Sequence, residues 1–169
     1  MTDWTVRGLE IKTQAERPVV YSPEERIRRD QTGWTIVQGV LAPIQFLVFL
    51  VSLLLVLRYL MTGDGLMVAG WSVVIKTGVL LLIMVTGAIW EKVVFGQYLF
   101  ARPFFWEDVV SMLVIALHLA VAMAWFDWGL HLTADAAMGL ALVAYCAYLI
   151  NAAQFLRKLR LARLEARHA

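Results

Sequence analysis

Two long stretches without any charge constrain this chain more than any other feature. No Asp, Glu, Lys or Arg occurs from Gln31 to Leu57 or from Ala136 to Leu156. A helix needs about 20 apolar residues to cross a bilayer, and both stretches are long enough. The whole sequence is 61% hydrophobic, which is too apolar for an ordinary soluble domain. The sequence therefore predicts a membrane protein.

Two further apolar stretches each contain one polar interruption. Residues 65–90 contain Lys76, and residues 109–126 contain His118. Because a backbone inside the hydrocarbon must satisfy its own hydrogen bonds, we expect helices. The prediction is an all-α integral membrane protein with one membrane domain over residues 22–164. Its four transmembrane helices are predicted at about residues 34–60, 65–90, 108–129 and 135–157.

Polar segments flank this domain. Residues 1–21 mix charges of both signs and are predicted to form a mobile cytoplasmic tail, and residues 165–169 a second tail. Ser22 and Glu25 have the spacing of a capping box, which predicts a short amphipathic helix on the membrane surface starting at Pro23. Its arginines either anchor the chain to the membrane or form a basic lip that attracts an anionic substrate.

The basic residues are distributed very unevenly about the predicted spans. Thirteen Lys and Arg residues lie on one side and Arg58 alone on the other, with Lys76 left out because it lies inside a span. Cytoplasmic segments carry the excess of Lys and Arg in membrane proteins. We therefore expect both termini, and the connection between the second and third spans, to face the cytoplasm.

That central connection gathers three carboxylates next to the predicted spans. The segment from Thr86 to Asp108 contains Glu91, Glu107 and Asp108 together with two Trp, four Phe and one Tyr. Carboxylates among aromatic rings at a membrane edge can hold a large flat organic molecule and give it a proton. Acids at a helix N-terminus also stabilise the helix dipole, which is the structural alternative for Glu107 and Asp108.

Polar side chains also occur inside the spans. Gln38, Gln45 and Ser52 recur every seven residues and share one helix face, where they either join helices or line a polar cavity. Lys76 either belongs to a functional site inside the bundle or snorkels towards the interface. His118 can ligate a metal, move protons or bond a neighbouring helix. A polar row on the fourth span consists of Tyr145, Tyr148, Asn151 and Gln154.

Several blocks of the sequence resemble one known family, the 3-vinyl bacteriochlorophyllide hydratases, which an older nomenclature calls 2-vinyl. The resemblance covers about residues 21–164. The blocks are YSPEER at 21–26, VQGVLAPIQFLVF at 37–49, IWEKVVFG at 89–96, FFWEDV at 104–109 and NAAQFL at 151–156.

The resemblance implies a hydro-lyase of bacteriochlorophyll synthesis in the inner or intracytoplasmic membrane of a phototrophic bacterium. Such enzymes add water to the C3 vinyl group of a chlorophyllide and produce a 1-hydroxyethyl group. The substrate carries its own magnesium, so no cofactor is expected. The expected partners are the tetrapyrrole and the lipid membrane, with other enzymes of the pathway as candidates. The sequence contains no nucleic-acid-binding motif.

The carboxylates of the central segment have the chemistry that hydration of a vinyl group needs. Protonation of the terminal carbon gives a cation that is delocalised into the macrocycle, and water then attacks it. The reaction needs a carboxylic acid kept protonated by desolvation and a second group that positions water. We expect Glu91 to be the acid and Asp108 or Glu107 to be its partner.

The substrate contacts that we expect fall into four groups. Trp90, Phe105 and Trp106 stack on the ring, and Lys92 or Arg102 pairs with the propionate. His118 ligates the substrate's magnesium, while Gln38, Gln45, Lys76 and Asn151 provide polar contacts.

Two other classes of function are alternatives. A non-catalytic tetrapyrrole-binding or assembly protein would use His118 and the aromatic residues, but would leave the paired acids unexplained. A small proton-coupled transporter would use Lys76 and His118 at mid-membrane.

Overall fold

A computed structural model describes residues 20–168, and almost all of the predicted N-terminal tail lies outside them. Four of the helices in this part of the chain are long and apolar enough to cross a membrane, which confirms the prediction of four spans. The five helices are α1 (Pro23–Gln31), α2 (Gly33–Thr62), α3 (Leu66–Phe95), α4 (Phe105–Trp125) and α5 (Ala134–His168).

The capping box predicted before the first span is present. The Glu25 N–H donates to Ser22 Oγ at 3.2 Å, and the Ser22 N–H donates to the Glu25 carboxylate at 2.7 Å. The connection between α2 and α3 is a tight turn. Gly63 and Gly65 adopt left-handed backbone angles there (φ 75° and 86°), which residues with side chains disfavour. α2 and α3 are therefore antiparallel neighbours.

Three helix ends differ from the predicted spans by four residues or more, and the first is that of α3, which ends at Phe95 rather than near residue 90. α4 ends at Trp125 rather than near residue 129, because Asp127 and Gly129 have positive φ (57° and 74°) and turn the chain. α5 continues without interruption through the basic extension to His168.

Hydrogen bonds between helices set the arrangement of the bundle. Gln38 Nε2 donates to Thr86 Oγ1 at 2.8 Å and joins the start of α2 to the last third of α3. Tyr59 donates to Asp135 at 2.7 Å and joins the end of α2 to the start of α5. The ends of α3 and α5 therefore lie with the starts of α2 and α4 at one end of the bundle. We call it the loop end, because residues 96–104 connect α3 to α4 there.

The loop end has its own apolar cluster, separate from the core in the middle of the bundle. Tyr21 packs within this cluster against Phe95 and Phe104, at ring-centroid distances of 5.8 and 6.2 Å. Burial raises the pKa of Tyr21 to about 12, so its hydroxyl keeps its proton. Arg26 pairs with Glu165 at 3.6 Å and ties α1 to the end of α5. These contacts close the loop end around the central segment.

Candidate active site

The 96–104 loop folds back over the ends of the helices that it connects. Gly96 caps α3 with a left-handed backbone (φ 86°), and its N–H donates to the Lys92 carbonyl at 3.0 Å. Phe100 is also left-handed (φ 59°). Such a conformation costs a residue with a side chain about 1–3 kcal/mol and persists only where the surroundings enforce it. The loop is therefore held in place by its contacts.

Two buried carboxyl groups lie beneath this loop. Glu91, in the last turns of α3, is 5% exposed, and Asp108, in the first turn of α4, is 3% exposed. The Phe100 N–H donates to Asp108 Oδ2 at 2.7 Å, and the next amide, that of Ala101, donates to Glu91 Oε2 at 3.3 Å. Consecutive backbone amides thus hold Glu91 and Asp108, which we call the carboxyl pair.

The two carboxyl groups lie close together, because consecutive amides of one loop hold them. Ionised carboxylates only accept hydrogen bonds, whereas a protonated one also donates. Two buried carboxylates side by side repel each other, so the pair is most stable with one proton, which the protonated group can donate to the other. A carboxylic acid beside a carboxylate is the combination that a reaction needing both a proton donor and a proton acceptor requires.

Glu107, the third predicted catalytic candidate, faces a different partner. Its Oε1 lies 3.2 Å from Lys158 Nζ of α5, and the same ammonium donates to the Pro103 carbonyl in the loop. The structure therefore brings Glu91 and Asp108 together and pairs Glu107 with a cation.

Two of the predicted stacking residues are exposed and the third is half-buried. Phe105 and Trp106 are exposed, with Trp106 70% exposed, and their rings meet edge to face at 5.5 Å. Phe100 adds a third ring 5.8 Å from Phe105. Trp90 is half-buried instead, where it donates to Thr35 Oγ1 at 2.9 Å and packs against Phe104. The exposed rings form an aromatic surface on the loop, and Trp90 supports the loop end from inside.

The two predicted propionate-binding cations are both exposed but differ in their contacts. Lys92 is exposed, but its Nζ already donates to the Gly96 carbonyl at 2.7 Å and lies over the Tyr98 ring. Arg102 is exposed, and among residues 20–168 it forms no ion pair. Arg102 is thus the better placed of the two to bind a carboxylate of a ligand at the loop.

Gln38 and Asn151 join helices. Gln38 bonds Thr86, as described above, and Asn151 Nδ2 donates to Ser111 Oγ at 2.7 Å. A weaker bond at 3.4 Å connects Asn151 to the backbone carbonyl of Glu107, directly below the loop. For Gln38, joining helices is one of the two predicted alternatives.

Lys76, Gln45 and His118 form a second polar group in the middle of the bundle. Lys76 is fully buried with its Nζ 3.9 Å from the centre of the Tyr148 ring, so the prediction that it points into the bundle is confirmed and snorkelling is not observed. The His118 Nδ1 donates to the Val114 carbonyl at 2.8 Å.

This mid-bundle group is far from the carboxyl pair. Lys76 precedes Glu91 by fifteen residues, or about 22 Å of helix, and His118 follows Asp108 by ten, or about 15 Å. An apolar groove of about 590 Å³ between α2 and α3 lies further still towards the opposite end, since its lining residue Ile75 precedes Glu91 by about 24 Å of helix. Neither feature belongs to the loop end.

Sequence reasoning missed the loop amides and Lys158. Lys158 had a detectable signal, because it follows Asn151 by seven residues and so lies on the same face of α5. The amides of Phe100 and Ala101 had none, because their direction depends on backbone angles. Within residues 20–168 no group of three or more His, Cys, Asp or Glu side chains is arranged to hold a metal ion.

Comparison with known proteins identifies the family. The model of the 2-vinyl bacteriochlorophyllide hydratase family matches residues 21–161. A 2-vinyl bacteriochlorophyllide hydratase of Cereibacter sphaeroides is 62% identical over 146 residues, which cover 86% of this chain and 89% of the relative. One of Rhodobacter capsulatus is 59% identical over 150 residues, covering 89% of this chain and 86% of the relative. No solved structure gives a significant match. The chain therefore belongs to the 2-vinyl bacteriochlorophyllide hydratase family.

Proposed function

We propose that the carboxyl pair adds water to the vinyl group of a bacteriochlorophyllide. The family and its named relatives make the chain a hydratase of bacteriochlorophyll synthesis. The observation that carries the assignment of the site is the burial of two carboxyl groups, Glu91 and Asp108, beneath consecutive amides of one loop. A non-catalytic pigment-binding protein would leave such a pair beneath an aromatic surface unexplained.

The pair starts the reaction with one proton. The shorter amide bond to Asp108, 2.7 Å against 3.3 Å for Glu91, favours the negative charge on Asp108 and leaves the proton on Glu91. Glu91 transfers this proton to the terminal vinyl carbon. The π electrons of the vinyl double bond form the new C–H bond, and the carbon attached to the ring becomes a cation. The two carboxylates stabilise the cation electrostatically.

Water then completes the addition. Its oxygen forms a bond to the cationic carbon while Asp108 accepts one of its protons. The pair again holds one proton, so the catalytic cycle closes without another acid. Each positioned proton transfer contributes about 10²–10⁴-fold to the rate.

The macrocycle binds on the aromatic surface of Phe100, Phe105 and Trp106, and Arg102 pairs with the propionate. The magnesium belongs to the substrate, and the mechanism uses no cofactor. Contacts of the ring with Gln45, Lys76 or His118 remain predictions. They require the pigment to enter the bundle, because helix distances of about 15 to 22 Å exceed the width of the macrocycle.

The product tests this function directly. The purified protein, incubated with the vinyl substrate in water labelled with the heavy oxygen isotope, should yield a pigment heavier by one labelled water. Recovery of bound but unchanged pigment would contradict the proposal and indicate a binding protein.

The loop end faces the cytoplasm of a bacterial inner membrane in this proposal. Support comes from the thirteen basic residues on this side of the spans, against Arg58 on the other. The pair then lies where cytoplasmic water and a membrane-dissolved pigment both reach it, and where other enzymes of the pathway can deliver that pigment.

Accessibility to a thiol reagent tests the orientation. In a Cys146→Ser background, needed because Cys146 is exposed on α5, Gln97→Cys should resist a membrane-impermeant maleimide in intact cells and react after permeabilisation. Asp64→Cys, in the opposite turn, is the matched control and should react in intact cells. Reaction of Gln97→Cys from outside would reverse the proposed orientation.

A further inference from the structure

We infer that Lys158 is a positioning residue for hydration, because its ammonium fixes the loop that presents the amides of Phe100 and Ala101 to the carboxyl pair. The inference rests on the proposed function of that pair. Lys158 does not touch the pair itself, and it acts through the loop and through Glu107.

One ammonium joins three segments of the chain. Lys158 belongs to α5, donates to the Pro103 carbonyl in the loop, and pairs with Glu107 Oε1 in the first turn of α4 at 3.2 Å. Its Nζ also lies 5.6 Å from the centre of the Phe104 ring. The side chain is 23% exposed, so the contacts are shielded from water and are stronger than those of a surface lysine. Lys158 thus holds the loop against α4 and α5 together.

A tight turn connects this contact to the carboxyl pair. The Phe104 N–H donates to the Ala101 carbonyl at 2.8 Å, so the position of Pro103 within the turn determines that of Ala101. The Ala101 N–H holds Glu91, and the preceding amide holds Asp108. Because the left-handed Phe100 is strained, the loop needs outside contacts to keep this conformation. Lys158 provides such a contact two residues away from Ala101.

The positive charge of Lys158 also supports the reaction, because it compensates Glu107 next to Asp108. Glu107 immediately precedes Asp108, and both are buried. Three buried carboxyl groups, Glu91, Glu107 and Asp108, therefore lie next to the loop, and Lys158 neutralises Glu107. Removing one partner of a buried ion pair leaves the other charge uncompensated, which is more damaging than losing the pair itself. An unpaired Glu107 would oppose the negative charge that Asp108 must carry in the reaction.

Lys158→Met should therefore lower the kcat of hydration about ten- to a hundredfold, the effect expected when a reacting group is misplaced by about 1 Å. The KM for the pigment should change less than the kcat, because Phe105 and Trp106 of the aromatic surface lie on α4, outside the loop. Lys158→Arg keeps the charge and the donors and should recover most of the activity. The matched control is Arg157→Met, since Arg157 is the exposed neighbour and forms no ion pair in the part of the chain that the structure describes.

Amide hydrogen exchange gives a readout that general destabilisation does not reproduce. In Lys158→Met the peptide covering residues 96–104 should exchange faster, while peptides from α2 and the middle of α3 exchange as in the wild type. Faster exchange throughout the bundle, with wild-type kcat per folded molecule, would reduce Lys158 to a stabilising residue and overturn the inference. Unchanged kcat and unchanged exchange would overturn it as well.

Two acid variants separate this inference from the proposed function. Glu107→Gln keeps an acceptor for Lys158 and should retain most activity, whereas its complete inactivity would make Glu107 the acid and overturn the positioning role. If Glu91→Gln is inactive while Lys158→Met turns over like the wild type, the carboxyl pair stands and the Lys158 inference fails. If Glu91→Gln is fully active, the proposed catalytic pair fails whatever Lys158 does.

Discussion

Glu91→Gln should abolish hydration while the pigment still binds. An amide is not an acid at neutral pH, so the variant cannot deliver the proton that starts the reaction. The local structure should survive, because glutamine can accept the Ala101 N–H through its oxygen and donate to Asp108 through its nitrogen. The variant therefore removes the proton and preserves the hydrogen bonds around it.

Single-turnover hydration in membranes with matched amounts of each variant measures this effect, with pigment binding followed separately by absorbance. Asp127→Asn is the control, because Asp127 is an exposed acid at the opposite end of the bundle and should have no effect. Wild-type turnover in Glu91→Gln would place the proton donor elsewhere. Joint loss of binding and turnover would make Glu91 structural.

Asp108→Asn should slow hydration at least about tenfold, and up to about 10⁴-fold, because the group that accepts the proton from water is lost. Asparagine can still accept the Phe100 N–H that Asp108 accepts at 2.7 Å. Its amide would also donate to Glu91, which stabilises the ionised form of Glu91 and leaves it without a proton to give. Proton delivery to the vinyl group and proton removal from water are therefore both affected.

The same single-turnover assay measures this variant, with Asp127→Asn again as control. Pigment binding should remain, because Asp108 is buried beneath the loop and the macrocycle meets the exposed rings. A wild-type rate in Asp108→Asn would show that water loses its proton to another group, and it would contradict the paired mechanism.

The four spans were predictable because hydrocarbon allows few alternatives. An uncharged run such as Gln31 to Leu57 can face lipid only as a helix. The end of α4 was not predictable to the same accuracy, because Phe126 and Trp128 continue the apolar character past Trp125. The chain turns there through backbone angles at Asp127 and Gly129, which composition does not encode.

The candidate site was predictable in its chemistry and not in its geometry. Glu91 and Asp108 stood out as acids at the ends of two spans, but Glu107 looked equivalent until its contact with Lys158 was seen. Trp90 and Trp106 likewise look alike in sequence. Trp90 packs against Phe104 of the loop, whereas Trp106 is exposed, because the loop folds back over Trp90 and not over Trp106.

In the proposed mechanism, the position of the carboxyl pair, at the end of α3 and the start of α4, makes hydration a reaction between two phases. One reactant is dissolved in a two-dimensional lipid film, and the other is the solvent itself. The rate then follows the mole fraction of pigment in the membrane rather than its amount per volume of suspension. Diluting the pigment with extra lipid at constant total pigment should slow the enzyme, as it does for other catalysts that draw substrate from an interface. A Michaelis constant for this chain is therefore a surface density.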